Sequence, residues 1–259
     1  MKYTIEDLKN IIIKLRAENG CPWDRVQTHE SMKRAMIEET YEALEALEKQ
    51  DDKAFANELG DCLLQIVFHA RIAEERGAFN FDDVLAEICQ KLIDRHTHVF
   101  GDDAASNETQ ALDVWEKSKK NEKKLKSFTE TLLDVPTNFP SLIRAEKVQN
   151  KAKACGFDWD DTEGARKKVF EELEEIKNAE ASKNQQEIEE EYGDFLFAAV
   201  NMGRFLKVDP EMSLKAATDK FINRFSKMEK LSKEKNLELD KLTLEEMDSL
   251  WNEVKSNKE

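Results

Sequence analysis

The 259-residue chain carries 55 acidic and 40 basic side chains, a formal net charge of −15, with 40% hydrophobic and 37% charged residues. That apolar content is too high and too patterned for a disordered chain, and the acidic excess argues against a nucleic-acid binder, which needs a basic footprint. Eight glycines and four prolines are few turn formers for a sheet-rich protein, so the composition points to an all-α fold.

In chain order, Ile5, Leu8, Ile12 and Leu15 mark a first amphipathic helix, which Gly20, Pro22 and Asp24 interrupt. Helical spacing then predicts helices over about 29–49, 52–75 and 82–96. The apolar run 62–70 is about half the length a membrane span needs, so no membrane association is expected. From 102 to 139 the pattern weakens, and WEKSKKNEKKLKS reads as a charged connector. Helical spacing resumes over about 141–154, 162–181, 184–206 and 210–235, with Asp209-Pro210 as a cap and first-turn proline. Thr243 and Glu246 form a capping-box pair for a last helix containing Trp251. The reading is two tandem four-helix-bundle-like domains, 1–101 and 140–259. The start MKYTIEDLKN shows no secretory signal, and Cys21, Cys62, Cys89 and Cys155 lack CxxC spacing, so reduced thiols in a cytoplasm are expected.

The two halves repeat one carboxylate pattern. Glu38, Glu39 and Glu42 are followed by Glu58 and Asp61; Glu171, Glu172 and Glu175 are followed by Glu191 and Asp194. Every member of the second set lies 133 residues beyond its counterpart, as do Gly60/Gly193 and Arg71/Arg204. After a four-residue deletion, Lys91 and Arg95 match Lys220 and Arg224 at an offset of 129. The chain therefore contains an internal duplication.

Helix geometry places Glu39 among Met32, Met36, Ala43 and Ala46, and Glu172 among Ala165, Ile176 and Ala179. A carboxylate in an apolar stripe is costly unless it is paired or holds a cation. Glu58 and Asp61 share one side of their helix, and the glycine between them suggests close approach of a neighbouring helix or ligand. Carboxylates converging between two helices repel one another without metal, and hard oxygen donors suit Mg²⁺ or Mn²⁺. A di-iron site is disfavoured, because no glutamate precedes His29, His69, His96 or His98 at Glu-x-x-His spacing. Lys91/Arg95 and Lys220/Arg224 are i,i+4 pairs that could hold polyphosphate oxygens or simply pair with surface acids. Trp23 and Trp251 could each stack on a base or belong to the core.

These residues together resemble the MazG family of tandem-domain, all-α nucleoside triphosphate pyrophosphohydrolases. The resemblance rests on NGCPWDRVQTHES at 19–31, EETYEALEALE at 38–48 and ELGDCLLQIVFHARIAEERGAF at 58–79. RHTHVFGD at 95–102, RAEKVQNKAKACGFDW at 144–159, EELEEI at 171–176 and EEYGDFLFAAVNMGRFLKVDP at 190–210 extend it. It implies Mg²⁺-dependent hydrolysis of nucleoside triphosphates to monophosphate and diphosphate. Glu172, Glu175, Glu191 and Asp194 are then similar to metal ligands, with Glu171 a further ligand or the group that activates water. Lys168, Lys220, Arg224 and Trp251 are similar to phosphate- and base-contacting positions. Glu38, Glu39, Glu42, Glu58 and Asp61 are the N-terminal counterparts. Thr97 and Asp94 depart from the family's usual proline and arginine, which weakens the positive field near Arg95 and makes the C-terminal half the expected main catalyst. The apolar faces of 62–73 and 195–206 predict a homodimer. The competing reading is a nucleotide-binding regulatory protein with one competent half or none.

Overall fold

A computed structural model describes residues 2–123 and 127–256, and every regular element among them is a helix. The chain divides after Lys123 into two compact units. The first contains α1 (Ile5–Arg16), α2 (Pro22–Val26), α3 (His29–Glu48), α4 (Asp52–Glu75), α5 (Phe81–Arg95), α6 (Thr97–Phe100) and α7 (Glu108–Lys123). The second contains α8 (Phe128–Leu133), α9 (Ser141–Lys153), α10 (Thr162–Ser182), α11 (Gln185–Phe205), α12 (Pro210–Glu234) and α13 (Leu244–Ser256), with a 3₁₀ turn at Leu239–Lys241.

Local chemistry sets the helix starts. Thr4 with Asp7, Thr28 with Ser31 and Asn80 with Asp83 close capping boxes at α1, α3 and α5. Asp161 and Asn184 cap α10 and α11 through their side chains. Thr243 exchanges hydrogen bonds with Glu246 at α13, as its spacing predicts. Each such cap stabilises its helix by about 1 kcal/mol.

In each unit the dominant packing is one antiparallel hairpin, α3 on α4 and α10 on α11. Both hairpins turn through a non-glycine residue in the left-handed region, Gln50 at φ 55° and Lys183 at φ 57°. These two positions are again 133 residues apart, so the duplication reaches the backbone of the turn. In the first unit Ile12, Met32, Val67, Phe68, Ile72 and Phe81 form the core. Arg16 pairs with Glu75 at 2.7 Å and lies over the Phe68 ring at 5.1 Å, tying α1 to α4. In the second unit the buried apolar residues include Ala165, Ala179, Ala198, Val200, Met228 and Leu250, while Phe170, Tyr192, Phe221 and Ile222 stay exposed.

The segment 102–139 is not the bare connector its composition suggests. α7 packs on α5 and α6, and α8 packs on α9. Trp115 lies under Arg95 at 5.4 Å and under Lys119 at 4.6 Å. Ala111, Val114, Trp115 and Ser118 are its half-buried stripe. So narrow a stripe inside a charged run is masked by its surroundings in sequence.

Candidate active site

The two hairpins each bring three carboxylates together, but not the same three. On α3 and α4, oxygens of Glu39, Glu58 and Asp61 all lie within 4.8 Å of one another. On α10 and α11, Glu172, Glu175 and Glu191 do so. Glu42 and Asp194 lie outside these groups; superposing the copies by sequence, the two triads between them use all four repeated ligand positions.

Neighbouring residues explain the electrostatics. Glu39 is half-buried among Met32, Ala43 and Ala46, which are all buried. Burial, then the charges of Asp61, Glu42, Glu58 and Glu38, raise its carboxyl above the ordinary range. Met36, expected beside it, is instead 44% exposed. Glu172 is only 3% exposed between Ala165 and Ala179, and its buried Oε2 has no hydrogen-bond partner among the described residues. A hydrogen bond with Glu172, followed by desolvation and that residue's charge, raises the carboxyl of Glu175.

Lys168, one turn before Glu172, donates to Glu171 at 2.7 Å and approaches Glu172 at 2.6 Å. These partners hold its ammonium well above the ordinary lysine range. In the first copy the matching position is Ala35. There Arg34 takes Glu38 at 2.6 Å, and Asn57 donates to Asp61 at 3.2 Å. Asn57 was not singled out by the repeat, since its counterpart is Glu190; its i,i+4 spacing to Asp61 was the available signal.

The other candidates form separate groupings. Arg224 stands over the Trp251 indole at 5.8 Å, and Phe221 packs against the same ring at 5.1 Å. Lys220 is exposed, Lys91 is half-buried, and Arg95 faces Trp115. His29 and His69 stack, with their Nδ1 atoms 2.8 Å apart; burial and then the His29 charge lower the His69 pKa. Among the described residues the expected close neighbour of Gly60 is not found: a methyl added there, or at Gly193, meets none of their atoms within 4 Å.

The carboxylate groups fit a divalent cation. They offer hard oxygen donors, and the buried, unpaired Glu172 Oε2 is an acceptor that folding alone leaves unsatisfied.

Comparison with known proteins identifies the family. The MazG nucleotide pyrophosphohydrolase domain matches in two segments, residues 27–100 and 161–229, each holding one complete acid set. The chain belongs to the MazG family. It is 46% identical over 254 residues to the nucleoside triphosphate pyrophosphohydrolase/pyrophosphatase MazG of Thermotoga maritima, covering 98% of this chain and 96% of that one. It is 41% identical over 254 residues to the nucleoside triphosphate pyrophosphohydrolase of Escherichia coli, covering 97% of each. An uncharacterized Bacillus subtilis protein, YabN, is 45% identical over 249 residues, which take up 95% of this chain but 50% of that one. Family membership thus extends across both units.

Proposed function

We propose that the protein is a Mg²⁺-dependent nucleoside triphosphate pyrophosphohydrolase, converting a nucleoside triphosphate and water to the monophosphate and diphosphate. The observation that carries this is the buried Glu172 carboxylate, with an oxygen left unpaired, at the centre of the triad on α10 and α11. Glu172, Glu175 and Glu191 would hold Mg²⁺, with Mn²⁺ an effective substitute and Asp194 one turn from Glu191 as a further donor. The bound cation supplies charge neutralisation at the phosphates and a more acidic water. Glu171 is exposed and oriented by Lys168, so it can accept the proton of the attacking water. Lys168 then has the charge and reach to engage a phosphate oxygen. Water adds to phosphorus, the bridging phosphoanhydride bond breaks, and diphosphate leaves.

The apolar residues left exposed on α10, α11 and α12 support a homodimer. Among the described residues no helix is long and apolar enough to cross a membrane. The free cysteines support a cytoplasmic location, and the net charge of −15 supports action on small nucleotides rather than nucleic acid. Pyrophosphate release from a panel of nucleoside triphosphates, with and without Mg²⁺, is the direct test. Metal-dependent release of diphosphate and monophosphate is expected; release of inorganic phosphate instead would overturn the bond assignment.

A further inference from the structure

Helix α7 falls in the segment that composition marks as a connector, yet it stands to α5 as α13 stands to α12. α5 carries Lys91 and Arg95 where α12 carries Lys220 and Arg224. α7 packs on α5, and α13 packs on α12. The Arg95 guanidinium lies 5.4 Å from the centre of the Trp115 ring, and that of Arg224 lies 5.8 Å from the centre of the Trp251 ring. Val114, Trp115 and Lys119 each have a counterpart 136 residues on, at Leu250, Trp251 and Lys255. Leu250 is buried and Val114 half-buried, so the residue before each tryptophan anchors its helix. Successive offsets of 133, 129 and 136 hide this match in the sequence. The duplication therefore runs through the last helix of each unit.

Trp115 is placed for more than packing. A ring that served only to fix α7 on α5 would rest on apolar side chains. This one has Arg95 over it and Lys119 4.6 Å from its centre, and it is only half-buried. Lys91 is half-buried one turn before Arg95, on the same side of α5. Cations gathered around one ring repel, and an anion set among them relieves that repulsion. An indole in turn takes a planar ring against its face. In a chain of net charge −15 the grouping selects a ligand that is both anionic and aromatic, which describes a nucleotide and excludes inorganic phosphate. Glu39, Glu58 and Asp61 lie in the same unit, on the α3–α4 hairpin against which α5 packs. They would hold the divalent cation that accompanies the phosphates. What this unit lacks is the lysine that orients Glu171 in the other copy, because Ala35 stands at the position of Lys168.

We infer that the first unit holds a nucleoside triphosphate of its own between α5 and α7, with Trp115 against the base and Lys91, Arg95 and Lys119 at the phosphates. One chain then carries two nucleotides and turns over chiefly the one in the second unit. The ligand class rests on the pyrophosphohydrolase reading.

The test counts nucleotides on the full chain by calorimetric titration with Mg²⁺ and α,β-methylene-ATP, which cannot release diphosphate. Wild type is expected to bind two per chain. Arg95→Gln should weaken one of them by about tenfold, the scale of one charge-assisted hydrogen bond, and Arg224→Gln should weaken the other. A footprint on wild type needs no substitution: the analogue should protect Trp115 from hydroxyl-radical oxidation, and inorganic tripolyphosphate should not. One nucleotide per chain, or two that Arg95→Gln leaves unchanged, overturns the assignment. So does oxidation of Trp115 that the analogue fails to slow, or that tripolyphosphate slows equally. One nucleotide bound with full turnover sinks this site and leaves the enzyme reading standing. Two bound without turnover of any triphosphate does the reverse.

Discussion

The α3–α4 and α10–α11 hairpins share their acids, their glycines and the twist of their turns, but differ in what surrounds the acids. Ala35 corresponds to Lys168, Asn57 to Glu190, and Phe68 to Asn201. In the first copy the acid group has an amide donor beside it and a filled core next to it. In the second it has an internal cation, and Asn201 lines an open cleft with Trp159 and Phe197. The acids are a property of the shared helix hairpin, whereas the residues beside them differ from copy to copy. A copy can therefore keep every acid and still differ in what it does.

The largest expected contrast is catalytic. Glu172→Gln should reduce pyrophosphate release by about 10²–10³-fold, the scale for removing one preorganised electrostatic group, while Glu39→Gln should change it less than about threefold. Comparable losses from both would erase the distinction between the copies. Next in size is cation binding. Lys168 occupies the acid group that metal would enter, so Lys168→Met should tighten Mn²⁺ binding at the C-terminal site by about tenfold, the scale of one charge-assisted hydrogen bond. Mn²⁺ titration followed by electron paramagnetic resonance, in a Glu58→Gln background that removes the N-terminal site, reads this directly. Unchanged or weaker binding would mean that Lys168 does not compete.

The pH dependence of stability follows from the raised carboxyls. For Glu39, the folded state holds its proton more tightly than the unfolded chain. Its contribution to stability is thus fully present below the unfolded pKa and is lost as pH rises through the folded value. In chelator, thermal unfolding of the first unit should shift to lower temperature as pH rises from the acid range to neutrality. Glu39→Gln should flatten that slope, and Mg²⁺ at neutral pH should offset it. The smallest effect is at the glycines. Since nothing lies near an added methyl, Gly60→Ala and Gly193→Ala should each stabilise the chain by roughly 0.5–1 kcal/mol. A loss of activity or dimerisation instead would locate a ligand or second copy against that helix face.

Features with short-range causes were legible in the sequence. The caps at Asp209 and Thr243, the major helices and the apolar stripe burying Glu172 all follow from residues within a turn or two. The family marks extended that reading to the chemistry. Helix α7 was not legible, because its few apolar contacts depend on α5 being present to receive them. The split of the four ligand positions into two different triads was hidden too, since side-chain rotamers rather than spacing decide which oxygens meet. The cleft beside Asn201 required Gly156 at φ 89°, the Asp158–Arg204 ion pair and the room that Gly164 leaves for Trp159 to act together with residues on α11 more than thirty positions away, and no periodicity reports such a coincidence.

The left-handed residues Gln50 and Lys183 have a consequence for how this molecule can change. Neither is a glycine, so each turn holds a conformation worth about 1–2 kcal/mol against it because the helices on both sides demand it. The left-handed residue thus stands at the same repeated position in both turns, like two castings from one mould. The turn segments 47–52 and 180–185 should therefore be exchangeable between the two hairpins, leaving every acid in place.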